Sequence, residues 1–265
     1  MSAPVSERQR WFRACAPWLA PAALVSLWEL LSRAGLLSNA LLPSPGAVLT
    51  AAVTACLHGG LLEHLGVSAL RAAAGLLAGG SLGLLLGLAT GLSRPLQLVL
   101  DGPLQMLRAV PALALVPLVI LWFGLGEAAK LFLVAVSVLF PVYLNTFHGV
   151  RSVDPTLLEM ARVYGLRGWP LYREVLLPGA LPSILVGLRF AVGMSWLVLI
   201  VAESIGATRG LGYVAMNARE FMQLEPLVLT ILLWALLGKL SDVGARALER
   251  RLLPWQPREQ RLGAE

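Results

Sequence analysis

Charge and reactive side chains are what this chain has least of. Of its 265 residues 14% are charged and 57% hydrophobic, with two cysteines and three histidines, whereas a soluble domain carries about 25% charged residues. That excludes a soluble domain of ordinary composition. Cys15 and Cys56 are expected on opposite faces of a membrane, so they cannot pair, and two lone cysteines make no metal site. His58, His64 and His148 show no ligand spacing, and neither a metal nor a cofactor is expected. The zinc-protease pattern H-E-x-x-H and the nucleophile elbow G-x-S-x-G are both missing, and Ser195 has no histidine near its depth, which leaves a membrane-embedded enzyme without a nucleophile and base. No G-x-x-x-x-G-K-[ST] phosphate loop occurs. Gly238-Lys239 is followed by Leu240 and lacks the upstream glycine, so any ATP used with this chain must be bound by another chain. The formal charge is +6, but the basic residues form no arginine-rich patch with aromatics, which argues against nucleic acid as a partner.

Long apolar runs are what remains. A bilayer core of about 30 Å takes about 20 apolar residues in a helix, and six stretches qualify: roughly 17–33, 66–92, 103–122, 128–147, 181–205 and 226–246. The expected fold is an all-α polytopic membrane bundle with 17–253 as its body, 1–16 as an N-terminal segment and 254–265 as a tail. Arg8, Arg10 and Arg13 precede an apolar run that continues to Trp28-Glu29 without a small-x-small cleavage site, so the first span is read as retained rather than as a signal peptide. Basic residues crowd into alternate connections, those holding Arg94, Arg151 to Arg173 and Arg246 to Arg261, while the opposite ones hold Arg33, Lys130, Arg209 and Arg219. The positive-inside rule then places both termini and the loop 151–182 in the cytoplasm. A multi-pass membrane protein is expected.

Within the second stretch Gly75, Gly79, Gly83, Gly87 and Gly91 recur every four residues, a stripe without side chains that lets another helix approach closely in lipid; this helix is expected to be buried in the bundle. Ser44-Pro45 reads as the cap and first residue of a short helix. Asp101-Gly102-Pro103 opens the third stretch, and Pro111, Pro117 and Pro141 predict kinks.

Ionisable groups inside a bilayer are costly and each asks for a reason. Glu29 with Arg33, and Glu127 with Lys130, have the spacing of surface ion pairs. Arg189 and Glu203 are 14 positions apart, about 21 Å along a helix, and cannot satisfy each other. Arg71, entering its span from the opposite direction, should reach the depth of Glu203, which predicts an approach of these two across helices. Arg108, Arg189, Ser195 and Glu203 are the candidates for a translocation path. For Arg108 and Arg189 a structural role, binding loop carbonyls or lipid phosphates, weighs more. Asn145, Trp196 and Ser204 rank lower, since such groups often only join helices.

The loop RSVDPTLLEMARVYGLRGWPLYREVLLPGALP, 151–182, contains a helix start at Asp154-Pro155, a stop at Gly165, an apolar face of Leu157, Leu158, Ala161 and Tyr164, and a second helix start at Pro170. It reads as a helix-turn-helix elbow, equally compatible with a plain connector and a docking device. The spacing Glu159-Met160-Ala161, three residues, Gly165, nine residues, Val175-Leu176-Leu177-Pro178 resembles the EAA loop of permease subunits of bacterial ATP-binding cassette importers. Met160 replaces an alanine and Val175 an isoleucine of that pattern. WELLSRAGLL at 28–37, LLPSP at 41–45, PLVILWFGLGE at 117–127, FPVYLNTFHGVRSVDP at 140–155 and AESIGATRGLGY at 202–213 are similar to the subfamily importing aliphatic sulfonates, taurine or nitrate. The resemblance implies a type I importer permease fold, a homodimer or pair with a close relative, and a coupling loop over 151–180 seated in a separate ATP-binding cassette subunit. It further implies that Glu159, Met160 and Ala161 lie at that contact, that Gly165 permits the sharp turn and Pro178 closes the motif, and that a periplasmic or extracellular solute-binding protein delivers a small anion. An aliphatic sulfonate or taurine is the expected cargo, with nitrate or another small molecule as the alternative. A secondary transporter or channel is the rival, and it predicts flux without ATP.

Overall fold

The computed structural model describes residues 7–38 and 42–255, with the backbone alone for 7–18. Residues 1–6 of the expected segment 1–16, residues 256–265 of the expected tail, the side chain of Cys15, and Leu41 of the LLPSP segment lie outside what is described. Among the described residues all regular structure is helical: α1 (Glu7–Arg33), α2 (Pro45–Leu57), α3 (Leu61–Leu92), α4 (Arg94–Ala109), a 3-10 turn (Ala112–Leu115), α5 (Val116–Phe123), α6 (Glu127–Arg151), α7 (Pro155–Val163), α8 (Trp169–Leu171), a π turn (Tyr172–Leu176), α9 (Leu177–Ser204), α10 (Leu211–Glu220) and α11 (Leu224–Leu252). Among them four helices are long and apolar enough to cross a membrane, Leu61–Leu92, Glu127–Arg151, Trp169–Ser204 and Leu224–Leu252, or five if the bent pair α4–α5 is one span. The first expected stretch, 17–33, coincides with the end of α1 and is not among these.

The chain divides into two compact units. One comprises Met1–Leu62 with Val214–Leu232, and the other Glu63–Tyr213 with Leu233–Glu265. In the first, Ser44 caps α2 by accepting from Ala47 N at 3.2 Å, with Pro45 opening the helix. Glu29 and Arg33 form the expected exposed pair at 2.7 Å.

The second unit is organised around α6, which is approached closely from both sides by backbone. A Cβ placed on Gly75 would lie 2.5 Å from Val134, on Gly79 2.0 Å from the Ala135 carbonyl oxygen, on Gly83 2.4 Å from the Leu139 carbonyl oxygen, and on Gly87 2.6 Å from Thr146. The glycine stripe of α3 is thus the seat of α6. On the other side Gly187 meets Asn145 and Gly149 meets Ser183 at under 3 Å for the same added atom, so α6 and α9 are equally tight. Val134, Val138, Val142, Ala191, Trp196 and Leu199 fill the space between. The expectation that α3 is buried holds for the stripe and for Ser68, Arg71, Ala72 and Thr90, but not for the whole helix. Leu70 and Leu77 on its other faces are 71% and 73% exposed, because five glycines at spacing four cover one face of a helix. Gly79→Leu should therefore be severely destabilising, beyond the 1–3 kcal/mol of ordinary overpacking, since the obstacle is a backbone carbonyl. The check is the melting temperature in detergent against Gly80→Leu, whose Cβ meets nothing within 4 Å.

The third expected stretch is corrected by the structure. Asp101-Gly102-Pro103 lies inside α4, which starts earlier because Ser93 accepts from Leu96 N and Pro95 occupies the first turn. The chain then breaks at Val110-Pro111, and the helices on either side are inclined by 82°; a residue before proline is driven out of the α region, and Val110 is extended, at ψ 117. Pro141, by contrast, is accommodated within continuous α6.

Candidate functional site

The elbow is built from α7 outward. Asp154 accepts from Thr156 N at 2.8 Å and Pro155 occupies the first turn, which fixes the start. At the other end Gly165 N donates to Arg162 O and Leu166 N to Ala161 O, both at 3.0 Å, with Gly165 at φ +85. These are the two bonds of a Schellman motif around a left-handed residue, and an added Cβ would touch nothing. Glycine is there for its backbone, not for space. Gly168, φ +58, makes the second turn.

The sequence predicts a separate second helix after Pro170. Instead α8, the π turn and α9 form one continuous rod, Trp169–Ser204. Leu177 N donates to Tyr172 O, five residues back, and this wider turn relieves the clash of the Pro178 ring with the carbonyl four residues before it. The elbow is thereby rigidly continuous with a membrane-length helix. Its inner side is apolar: Ala161 is buried and Leu158 packs on Val150, Val153, Leu176, Ala180 and Ile184. Glu159 is exposed, Met160 is half exposed, and Val163, Tyr164 and Trp169 are 86%, 81% and 74% exposed. Of the four residues expected on the apolar face, Leu158 and Ala161 turn inward while Leu157 and Tyr164 remain open. Pro178 is half-buried.

The charges within the apolar helices are sorted by their partners. Arg71 Nη1 donates to Glu203 Oε1 at 2.7 Å, the predicted meeting of α3 and α9. The Glu203 side chain is fully buried and that of Arg71 nearly so. Ser68 Oγ lies 2.8 Å from both Glu203 oxygens, and Gly212 N donates to Glu203 Oε2 at 2.9 Å. Arg71 Nε further donates to Glu127 Oε2 at 2.6 Å, and its Nη1 to Arg209 O at 2.7 Å. Glu127 also takes the expected Lys130 ammonium at 3.3 Å, but its closer partner Arg71 was missed, since only neighbours three and four apart were weighed. The glycines of AESIGATRGLGY make room for this cluster. A Cβ on Gly210, whose φ is +112, would lie 2.4 Å from Glu203 Oε1, and one on Gly212 2.4 Å from Glu203 Cβ. His64 Nδ1 accepts from Gly210 N at 3.1 Å, holding the same loop.

Arg189 pairs with Asp242 at 2.7 Å, and Arg246 joins the same carboxylate at 2.8 Å. Asp242 was not singled out, although an acid within 226–246 is as much a signal as an arginine. Ser195 Oγ donates to Val192 O and Ser204 Oγ to Ile200 O, both at 2.7 Å, so each is satisfied by its own helix. Trp196 Nε1 donates to Ser241 Oγ at 2.9 Å, joining α9 to α11. Of the four path candidates, Arg108 alone makes no ion pair or hydrogen bond among the described residues. It borders a groove between α4 and α6 of about 320 Å³.

Comparison with known proteins follows the same lines. Residues 79–254 match the family described as binding-protein-dependent transport system inner membrane component. The chain is 56% identical over 257 residues, 97% of either chain, to the putative aliphatic sulfonates transport permease protein SsuC of Escherichia coli K12. It is 43% identical to the protein so named in Bacillus subtilis 168, over 96% of this chain and 91% of that one. With the taurine transport system permease protein TauC of E. coli K12 it shares 36% over 88% of this chain and 87% of that one. In three dimensions it is similar to a chain of an amino acid ABC transporter crystallised with histidines, at TM-score 0.61 and 21% identity over 72% of this chain and 92% of that one. It is also similar to one of the inward-facing MetNI methionine ABC transporter, at 0.51 and 19% over 67% and 93%.

Proposed function

Because the chain belongs to the family of binding-protein-dependent transport system inner membrane components, we propose that it is the permease of an ATP-driven importer whose cargo is a small aliphatic sulfonate. The observation that carries the cargo is the end-to-end likeness, 56% identical over 97% of both chains, to a permease named for aliphatic sulfonates, against 36% to one named for taurine.

The partners follow from what the chain lacks and what it exposes. It has no phosphate loop, so a separate ATPase subunit supplies the energy. The elbow is the docking element for that subunit: Glu159 and Met160 lie at the contact, with Tyr164 and Trp169 as exposed anchors, while buried Ala161 seats α7 on the bundle, Gly165 and Gly168 make the two turns, and Pro178 stands inside the rod that carries the elbow. A rigid lever of this kind passes the closure of two ATPase subunits to two copies of the permease, and the paired bundles alternate the side to which their path opens. The basic connections support an elbow and termini on the cytoplasmic side of a bacterial inner membrane, with a solute-binding protein delivering cargo on the other.

The test is growth. A strain without its own sulfonate importers, supplied with this permease together with its ATPase and binding protein, should grow on ethanesulfonate as sole sulfur source. Failure on ethanesulfonate with uptake of nitrate would overturn the cargo. Flux through the purified chain in liposomes without ATP would overturn the importer.

A further inference from the structure

From the groove between α4 and α6 we infer a sulfonate-conducting cleft in which Arg108 is the cation that contacts the anion. The inference rests on the reading of the chain as a sulfonate permease and adds the site. Four polar side chains of α4, Gln97, Asp101, Gln105 and Arg108, recur at spacings of four, four and three residues and line the groove, one continuous face of a helix. Leu98, Val99 and Met106 occupy the rest of α4 and are more than 70% exposed. Facing the polar stripe from α6 are Tyr143 and His148. The stripe starts where Gln97 Oε1 accepts from Arg151, at the end of α6 that leads into the elbow, and runs to Arg108 at the last turn of α4.

Arg108 is exposed and has no ion pair among the described residues, and charges of membrane proteins that lack a protein partner face water or a ligand path. Two other arginines within the apolar helices of this unit are neutralised, Arg71 by Glu127 and Glu203 and Arg189 by Asp242. Asp101, the one acid lining the groove, accepts from Gln105 Nε2 at 2.8 Å and lies two helical turns, about 10 Å, from Arg108. The positive charge at Arg108 is therefore available to an incoming anion. A planar fork of donors matches two oxygens of a sulfonate, and Leu104, Leu144 and Phe147 in the same lining give the alkyl chain an apolar wall.

The experiment uses the whole importer in proteoliposomes. In a background with both natural cysteines replaced by serine, Gln105→Cys should react with the small anionic reagent 2-sulfonatoethyl methanethiosulfonate. Ethanesulfonate present during ATP-driven transport should slow that reaction at least threefold. Arg108→Gln should lower ethanesulfonate uptake more than tenfold while binding-protein-stimulated ATP hydrolysis persists, and Arg108→Lys should recover part of the uptake. Uptake by Arg108→Gln at the parental rate, or labelling of Gln105→Cys unaffected by ethanesulfonate, overturns the cleft and leaves the importer standing. Absence of ethanesulfonate uptake by the parent overturns the cargo instead.

Discussion

Arg71→Met is expected to cost about 3–5 kcal/mol, the range for removing one partner of a buried ion pair, and to be the most damaging charge deletion in the chain. Arg71 is 7% exposed at its side chain and serves two carboxylates, one of which, Glu203, has no exposure. Its loss leaves Glu203 with Ser68 and the Gly212 amide and no cation, and it unfastens Glu127 and the Arg209 carbonyl as well. Two helices and the loop behind α9 are released at once. The expected observation is a melting temperature in detergent lowered on the order of 10 °C, with reduced accumulation in the membrane. Arg33→Met is the control. Its pair with Glu29 is 77% exposed on the arginine side, where such pairs contribute about 0–1 kcal/mol. A double-mutant cycle sharpens the test. Glu203→Gln should be far less harmful in the Arg71→Met background than in the parent, because the neutral amide no longer leaves a buried guanidinium short of charge. Equal effects in both backgrounds would mean that the cluster is not held by this pair.

That cluster also shows what could be read without coordinates. The meeting of Arg71 and Glu203 followed from depth alone: two charges in antiparallel apolar stretches have a cost that only each other can offset. The glycine stripe foretold a close helix, but not that the helix would be α6, because spacing specifies a face and not its neighbour. The break at Pro111 was visible as a kink and turned out to be an 82° bend, since three prolines in one stretch constrain each residue before them without setting the sum. The second elbow helix was misjudged for a related reason. Pro178 reads as a helix boundary in sequence, yet a π turn one residue earlier lets the rod pass through it. Arg189 has no acid within reach on its own helix, and its partner Asp242 lies 53 positions on in α11, a pairing that spacing along one helix does not reveal. Only the structure could show that Arg108 is the candidate left without a partner among the described residues.

Glu159→Lys is expected to abolish uptake, by at least tenfold, while the purified complex retains basal ATP hydrolysis and the permease folds normally. Glu159 sits in the middle of α7, exposed and without an ion pair among the described residues, so reversing its charge removes nothing from the fold. The same exposure puts it at the face that Met160, Val163 and Tyr164 share. A charge placed against the wrong sign at an interface costs several kcal/mol, and a lever that no longer seats cannot transmit closure, however stiff it is. Stiffness itself comes from features the substitution spares: the Asp154 cap, the Schellman bonds at Gly165, and Leu158 with Ala161 packed on the bundle. Melting temperature should therefore stay within about a degree of the parent while uptake and substrate-stimulated ATP hydrolysis fall together, a combination that damage to the bundle does not produce. Parental uptake by the folded Glu159→Lys protein would remove Glu159 from the docking face and leave Met160 and the exposed aromatics Tyr164 and Trp169 to engage an ATPase.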